Sequence, residues 1–395
     1  MKYFPLRDRS ICDQTSLNDS VERGNYLYAA GIEIPVSYPD FLQPNQDVDS
    51  LLRNLVIRNL EQKIGPISDP IEKRLSFELQ TIRKKELSAF FLGINQMIQI
   101  LDDLSVLHTC AGRAASSLVC FALGLSHINP MVHGLIFEDF LNPDGEENPW
   151  VIIQVPENLS QILWGYAHHP SRKPISAEQT IHIIEVEALS LCQNIIRMID
   201  KDEGFDAWQI QLADAVTWGL FKEGRTEGII GFHSMGLADY LKKMGPENLT
   251  DIAALLALYQ PGPPMFVMDA FVDKQSGPFH FPCLEETNGI LVFSEQYIKI
   301  VQTLSGFSYD KAEQLRIASS LQREEDEEIK AEFVRAVMST GISNEGATVL
   351  VKWLECLAPY LNSKSHSLCF AQISCLSAYL KAHYPEMFIR ALGWK

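Results

Sequence analysis

His168 and His169, side by side before Pro170, are of a type that holds divalent metals. Adjacent residues project in different directions, however, and no cysteine or carboxylate stands at ligand spacing, so the pair reads as part of a loop. Asp200, Asp202 and Asp206 alternate in the manner of a calcium loop. Gly204 and Phe205 then fall where such a loop needs a ligand and its glycine, which makes a turn the better reading. Ser365, His366 and Ser367 supply hydroxyls and an imidazole, but the members of a catalytic triad converge from separate elements, not from neighbouring positions. Eight cysteines are scattered without a CxxC pair. Neither a zinc cluster nor a disulfide framework is indicated, and that usage fits a reducing compartment.

The elements that would have to position any site are mostly helical. Ser68 or Asp69 caps a helix opened by Pro70, in which Ile71, Leu75, Leu79 and Ile82 recur on one face. Leu87 to Leu107 and Ala114 to Leu125 read as further helices. Strand candidates are Val151 to Val155, His182 to Val186 and Ile290 to Phe293. Proline and glycine place loops at Asn142 to Pro149, His168 to Pro174, Gln260 to Pro264 and Gly277 to Pro282. Ala114 to Phe137 lacks Asp, Glu, Lys and Arg over a membrane-length stretch, yet it holds Ser116, Ser117, His127, Asn129 and Pro130. It reads as a buried helix, a turn and a second helix start. The N-terminus MKYFPLRDRS lacks the apolar core of a signal peptide.

At 395 residues with 46% apolar content, the chain can bury a sizeable core in two or three subdomains. Thirty-three Lys and Arg against 50 Asp and Glu leave a net charge of −17. Such a surface repels nucleic acid unless a basic groove is segregated on it. Glu324 to Glu328 is an acidic run, read as a solvated face before a patch for a basic partner.

A series of segments gives this composition a context. In chain order they are Pro70 to Arg83 (PIEKRLSFELQTIR), Leu118 to Pro130 (LVCFALGLSHINP), Leu135 to Pro143 (LIFEDFLNP) and Thr226 to Leu237 (TEGIIGFHSMGL). Leu255 to Pro263 (LLALYQPGP), Gly289 to Gln296 (GILVFSEQ) and Leu304 to Ala318 (LSGFSYDKAEQLRIA) follow, then Asn362 to Phe370 (NSKSHSLCF) and Tyr379 to Phe388 (YLKAHYPEMF). In content and order the series resembles the C-family replicative polymerases, the bacterial DNA polymerase III alpha subunits, with their RLxYELxVI, LFERFLNPER, ALYRPGP, GVIVYQEQ and FNKSHSAAY motifs. Met1 to about Val48 matches no part of that pattern.

The resemblance implies a metal site whose carboxylates this chain has replaced. In the family, PDIDIDF carries aspartates at alternate positions of one strand, and these hold the two magnesium ions of nucleotidyl transfer. Here Trp150, Ile152 and Gln154 stand at those positions after Pro149. The family's third carboxylate, in KFDFLGLKTL, falls on Glu185 of IIEVEALSLC, which by itself reads as a solvated glutamate on an amphipathic element. The phosphate loop GPGRGSAAGS matches His108 to Ser117, HTCAGRAASS, leaving Gly112, Arg113 and Ser116 or Ser117 to face an anion. Family arginines fall on Asp139, Gly145, Gln260 and Ile317, and two lysines on Leu321 and Gln322. Arg316, Lys364 and His366 remain as nucleotide-binding remnants.

The expected fold is therefore α+β and mainly helical. It comprises a trimmed palm of nucleotidyltransferase type over residues 49–225 and helical fingers over 226–395, after a segment of unknown role at 1–48. The thumb and the N-terminal phosphoesterase domain are expected to be absent, since too little chain lies between Pro156 and Ile183 for a thumb. The favoured function is that of a DNA polymerase III alpha-like protein of replication or repair, catalytically silent and acting through protein contacts. One alternative is an active polymerase using magnesium on displaced carboxylates at Asp139, Asp144, Glu146 or Glu185. Another is a nucleotide or DNA-end binding module built on Arg113, Arg316, Lys364 and His366. The favoured reading implies no cofactor, no metal, weak or absent DNA contact, no membrane, a cytoplasmic location, and a replication or repair polymerase component as protein partner. The segment from Asn362 to Trp394 is expected to be core, with Lys364 and His366 left over from a nucleotide-facing role.

Overall fold

The computed structural model describes residues 28–393 apart from 44, 146, 200–206, 209–213, 233, 261, 276 and 322–326. Asp200, Asp202, Asp206, Glu146, Gln322 and the start of the Glu324 to Glu328 run lie outside the described residues.

Four strands form one mixed sheet in the order β1-β4-β3-β2. They are β1 (Tyr28–Pro35), β2 (Thr109–Ala111), β3 (Ile152–Val155) and β4 (Thr180–Val186). The central pair β3 and β4 is parallel, and each edge strand runs antiparallel to its neighbour. Ile152, Ile153, Val155, Ile181 and Ile183 are all buried, the near-continuous apolar run of strands covered on both faces. Two strands thus stand where the sequence placed them, to within two residues. The third expectation is overturned: Ile290 to Phe293 makes only an isolated bridge, Phe293 to Asn362. The amides of Val292 and Phe293 donate to the Gln296 side chain, so they start the next helix and are not free for a ladder. In the segment given no role, Tyr28–Pro35 is an edge of the sheet.

Helices α1 (Val48–Ile64), α2 (Asp69–Lys84) and α3 (Ser88–Asp103) precede β2. In α2 Ser68 is the cap residue, Pro70 lies in the first turn, and Leu75 and Ile82 are buried. Where one helix is expected from Ala114 to Leu125, a 3₁₀ turn, Gly112–Ser116, is followed by a short α4 (Leu118–Ala122). Ser117 divides them, because its backbone is extended and its hydroxyl accepts from the Cys120 amide. Between β3 and β4, residues 156–179 contain a single helix, α5 (Ser160–Ala167).

After β4 the described elements are helical. They are α6 (Glu187–Met198), α7 (Ala215–Lys222), α8 (Met235–Met244), α9 (Leu249–Leu258), α10 (Pro263–Val272) and α11 (Ser294–Ser305). Then come α12 (Tyr309–Leu321), α13 (Glu327–Ser339), α14 (Asn344–Leu357), α15 (Lys364–His383) and α16 (Pro385–Ala391). Helix α15 joins two cores. Leu368, Ala371, Cys375 and Ala378 pack into the one containing β3 and α9, whereas Ile373, Leu376 and Leu380 pack into the one containing α6 and α16. The C-terminal segment is core, as expected from its apolar spacing. Among the described residues no helix is long and apolar enough to cross a membrane.

Candidate functional site

On β3 and the residue pair before it, Trp150, Ile152 and Gln154 share one face of the sheet, because alternate residues of a strand point the same way. Ile152 pairs with His182 and Gln154 with Ile184, so those side chains complete the face from β4. The Trp150 ring stacks on His182 with centroids 3.9 Å apart and planes inclined by 21°. Ile152 is 1% exposed and Gln154 4%, leaving little room for a ligand between them. Burial holds the His182 imidazole below its ordinary pKa, which favours the neutral ring under the indole. This face offers indole, alkyl, amide and neutral imidazole groups where two divalent ions would require anionic oxygens.

Glu185 is not on that face. It pairs with Val155, which points the other way from Gln154. Its carboxylate accepts from the Ser160 amide at 2.9 Å and so caps the start of α5. Burial pushes the group up, but hydrogen bonds from Ser160, Asn158 and Leu159 outweigh it and hold the carboxyl below its usual range. Strand alternation thus turns Glu185 away from Trp150, Ile152 and Gln154. Asp144 is likewise engaged elsewhere, in an exposed pair with Lys84 at 3.2 Å.

Of the residues expected to face an anion, Ser117 and Arg113 are met by the chain's own carboxylates. Gly112 leaves β2 with φ of +71°, and open space lies where a Cβ would stand. Ser117 donates its hydroxyl to Glu78 at 2.8 Å, and the same carboxylate accepts from the amides of Leu118 at 2.9 Å and Val119 at 3.1 Å. Glu78 therefore occupies the start of α4, with Arg74 2.6 Å away on the preceding turn of α2. Burial drives Glu78 upward more strongly than Arg74 and these donors pull it down. Ser116 is fully buried and its carbonyl accepts from Arg74 at 2.7 Å. Ser117 is engaged by the carboxylate of α2, and the Ser116 hydroxyl is buried beside it without a hydrogen-bond partner.

Arg113 and Arg316 are brought together around Glu313. Arg316 makes a two-pronged contact with that carboxylate at 2.7 and 2.8 Å, and Arg113 stands 3.6 Å from it. Arg113 also lies 3.4 Å from Asp139, which accepts from the Tyr309 hydroxyl at 2.9 Å. Asp139 beside it holds the Arg113 guanidinium above its ordinary pKa. Burial raises the Asp139 carboxyl to about 6 despite Arg113. Two cations and two carboxylates thus close on one another between the turn after β2 and helix α12.

Lys364 and His366 lie nearby at the start of α15. The Lys364 ammonium donates to both Glu286 oxygens, at 2.8 and 2.7 Å, and to the His133 carbonyl at 2.5 Å. Glu295 accepts from the amides of Lys364 at 2.8 Å and Ser365 at 3.1 Å, filling the helix start as Glu78 does in α4. His366 is held down to about 4 by burial, which keeps it neutral at physiological pH. The expectation that Lys364 is an idle remnant is corrected: its side chain ties α15 to Glu286 and to the loop at His133. His168 stacks on Trp164 and His169 bonds to Ser171, as loop residues. Among the described residues no group of three or more His, Cys, Asp or Glu is placed to hold a metal.

Spacing did not single out Glu78, Glu286, Glu295, Tyr309 or Glu313. Glu78, Glu295 and Glu313 sit inside the quoted motifs, which is the signal that could have marked them.

The model of the bacterial DNA polymerase III alpha NTPase domain matches residues 50–214, and that of the bacterial DNA polymerase III alpha subunit finger domain matches 188–341. The DNA polymerase III subunit alpha of Bacillus subtilis is 24% identical over 90% of this chain and 44% of its own length. The protein of the same name from Borreliella burgdorferi is 33% identical over 89% of this chain and 42% of its own. That from Thermus aquaticus is 32% identical over 52% of this chain and 18% of its own. The chain spans less than half the length of these curated relatives. Matched across its sheet and its helical half alike, the chain belongs to the bacterial DNA polymerase III alpha subunit family.

Proposed function

We propose that this chain is a catalytically silent member of its family that acts through protein contacts in DNA replication or repair. The observation that carries the reading is the packed face of Trp150, Ile152 and Gln154, with Glu185 directed to the opposite side of the sheet. Nucleotidyl transfer in this family rests on two metal ions clamping the attacking and leaving oxygens, and neutral side chains give such ions no charge compensation. The internal neutralisation of Arg113, Arg316 and Lys364 supports the same reading, since a triphosphate would have to displace carboxylates already in contact.

The thumb is proposed to be missing as well. Residues 156–179 hold only α5, and the alignment with the Bacillus subtilis relative runs over 490 residues, more than this chain contains. With DNA contact weak and no metal or cofactor expected, a replication or repair polymerase component is the partner proposed. Incubated with a primed template, deoxynucleotides and magnesium or manganese, the purified protein is expected to yield no extension above a mock preparation. Template-dependent extension that Glu185→Ala abolishes would overturn the reading. Affinity purification from its source cells tests the second half, for which recovery of nucleic acid without protein is the adverse result.

A further inference from the structure

Cys110 on β2 and Cys369 on α15 are separated by 259 positions, yet their sulfur atoms lie 3.8 Å apart. Both side chains are buried, and both belong to the core that includes β3 and α9. Among the described residues the other cysteines have no such thiol neighbour in hydrogen-bond contact, and Cys356 is exposed. A disulfide brings its sulfurs to about 2.05 Å, so closing this contact requires a shift of under about 2 Å in a core where the two side chains already meet. No carboxylate, histidine or third cysteine joins them in a metal-holding group.

We propose that Cys110 and Cys369 form a site of oxidative modification, a dithiol that a peroxide converts to a disulfide joining the sheet to α15. One thiol takes an oxygen from the peroxide to give a sulfenic acid and releases one water. The sulfur of the second then displaces that hydroxyl as a second water, forming the S–S bond; the peroxide gains the two electrons lost by the sulfurs. The contact with Cys110 and burial together favour the protonated Cys369 thiol, so the reaction waits on a brief opening around β2 and quickens with rising pH. The bond would fix β2, which leads straight into the Gly112–Ser116 turn, against the helix that joins two cores. A crosslink between residues this far apart removes much of the freedom of the unfolded chain.

The test is made on the full chain, treated with hydrogen peroxide until half of the exposed Cys356 is oxidised, then unfolded, alkylated and peptide-mapped. The expected result is a linked Cys110–Cys369 peptide two mass units lighter than the sum of its reduced parts. The melting midpoint should rise by several degrees, and a phosphine reductant should reverse the rise. Cys110→Ser and Cys369→Ser should lose both signals. Should either variant fail to fold, the wild-type peptide map decides alone. Full alkylation of Cys110 and Cys369 at that oxidant dose, or a linkage to another cysteine, overturns the proposal.

Discussion

Asp139 is buried between Arg113 and Tyr309, and that environment makes a claim about pH. Its folded pKa of about 6 exceeds the unfolded value near 3.8, so the folded state holds more protons between those two pH values. Its contribution is thus most favourable below about pH 4 and declines as pH rises through 6. Melts from pH 4 to 7 at constant ionic strength should give an Asp139→Asn variant that gains on the wild type as pH rises across that window. Parallel profiles would refute it. Lys364 supports a second prediction. Removing an ammonium that donates to Glu286 and to the His133 carbonyl loses charged hydrogen bonds, so Lys364→Ala should cost about 2 kcal/mol in a urea titration. An unchanged midpoint would return Lys364 to the status of an idle remnant.

Strand β3 shows what an element requires of its residues. Buried against β2 and β4, it tolerates Ile152 and Gln154 because one is apolar and the other is neutral. Replacing Trp150 and Ile152 together by Asp would put two carboxylates on a buried face completed by Gln154, Ile184 and the neutral His182 ring. A loss of roughly 3–5 kcal/mol is expected, with no polymerase activity gained. A thermal melt of the double variant equal to or above the wild type would show that the face is not packed as described. The strand itself was legible as an apolar run bounded by Pro149 and Pro156. The edge strand β1 was not, since YAAGIEIP carries little alternation and pairs with β4 about 150 positions away, and β2 is too short for a period to show.

At the scale of the molecule, net charge and internal pairing act together. With a balance of −17 and the surviving cations engaged with carboxylates, the protein should bind single-stranded or primed DNA no better than about 10⁻⁴ to 10⁻⁶ M at physiological salt. Fluorescence anisotropy across a salt series measures this directly. Nanomolar affinity with a steep salt slope would favour a DNA-binding module.

Membership in the polymerase family, the mainly helical character and the central strands were all readable in the sequence. Each depends on local period or on residue type at a fixed offset within one segment. The fate of the remaining charges was not readable, because it depends on pairs far apart along the chain: Ser117 with Glu78, Asp139 with Tyr309, Lys364 with His133. The facing of Glu185 needed the register between β3 and β4, for a slip of one residue would have turned it to the other side. The same holds for Cys110 and Cys369, two scattered cysteines in the sequence that only the packing of β2 against α15 makes neighbours.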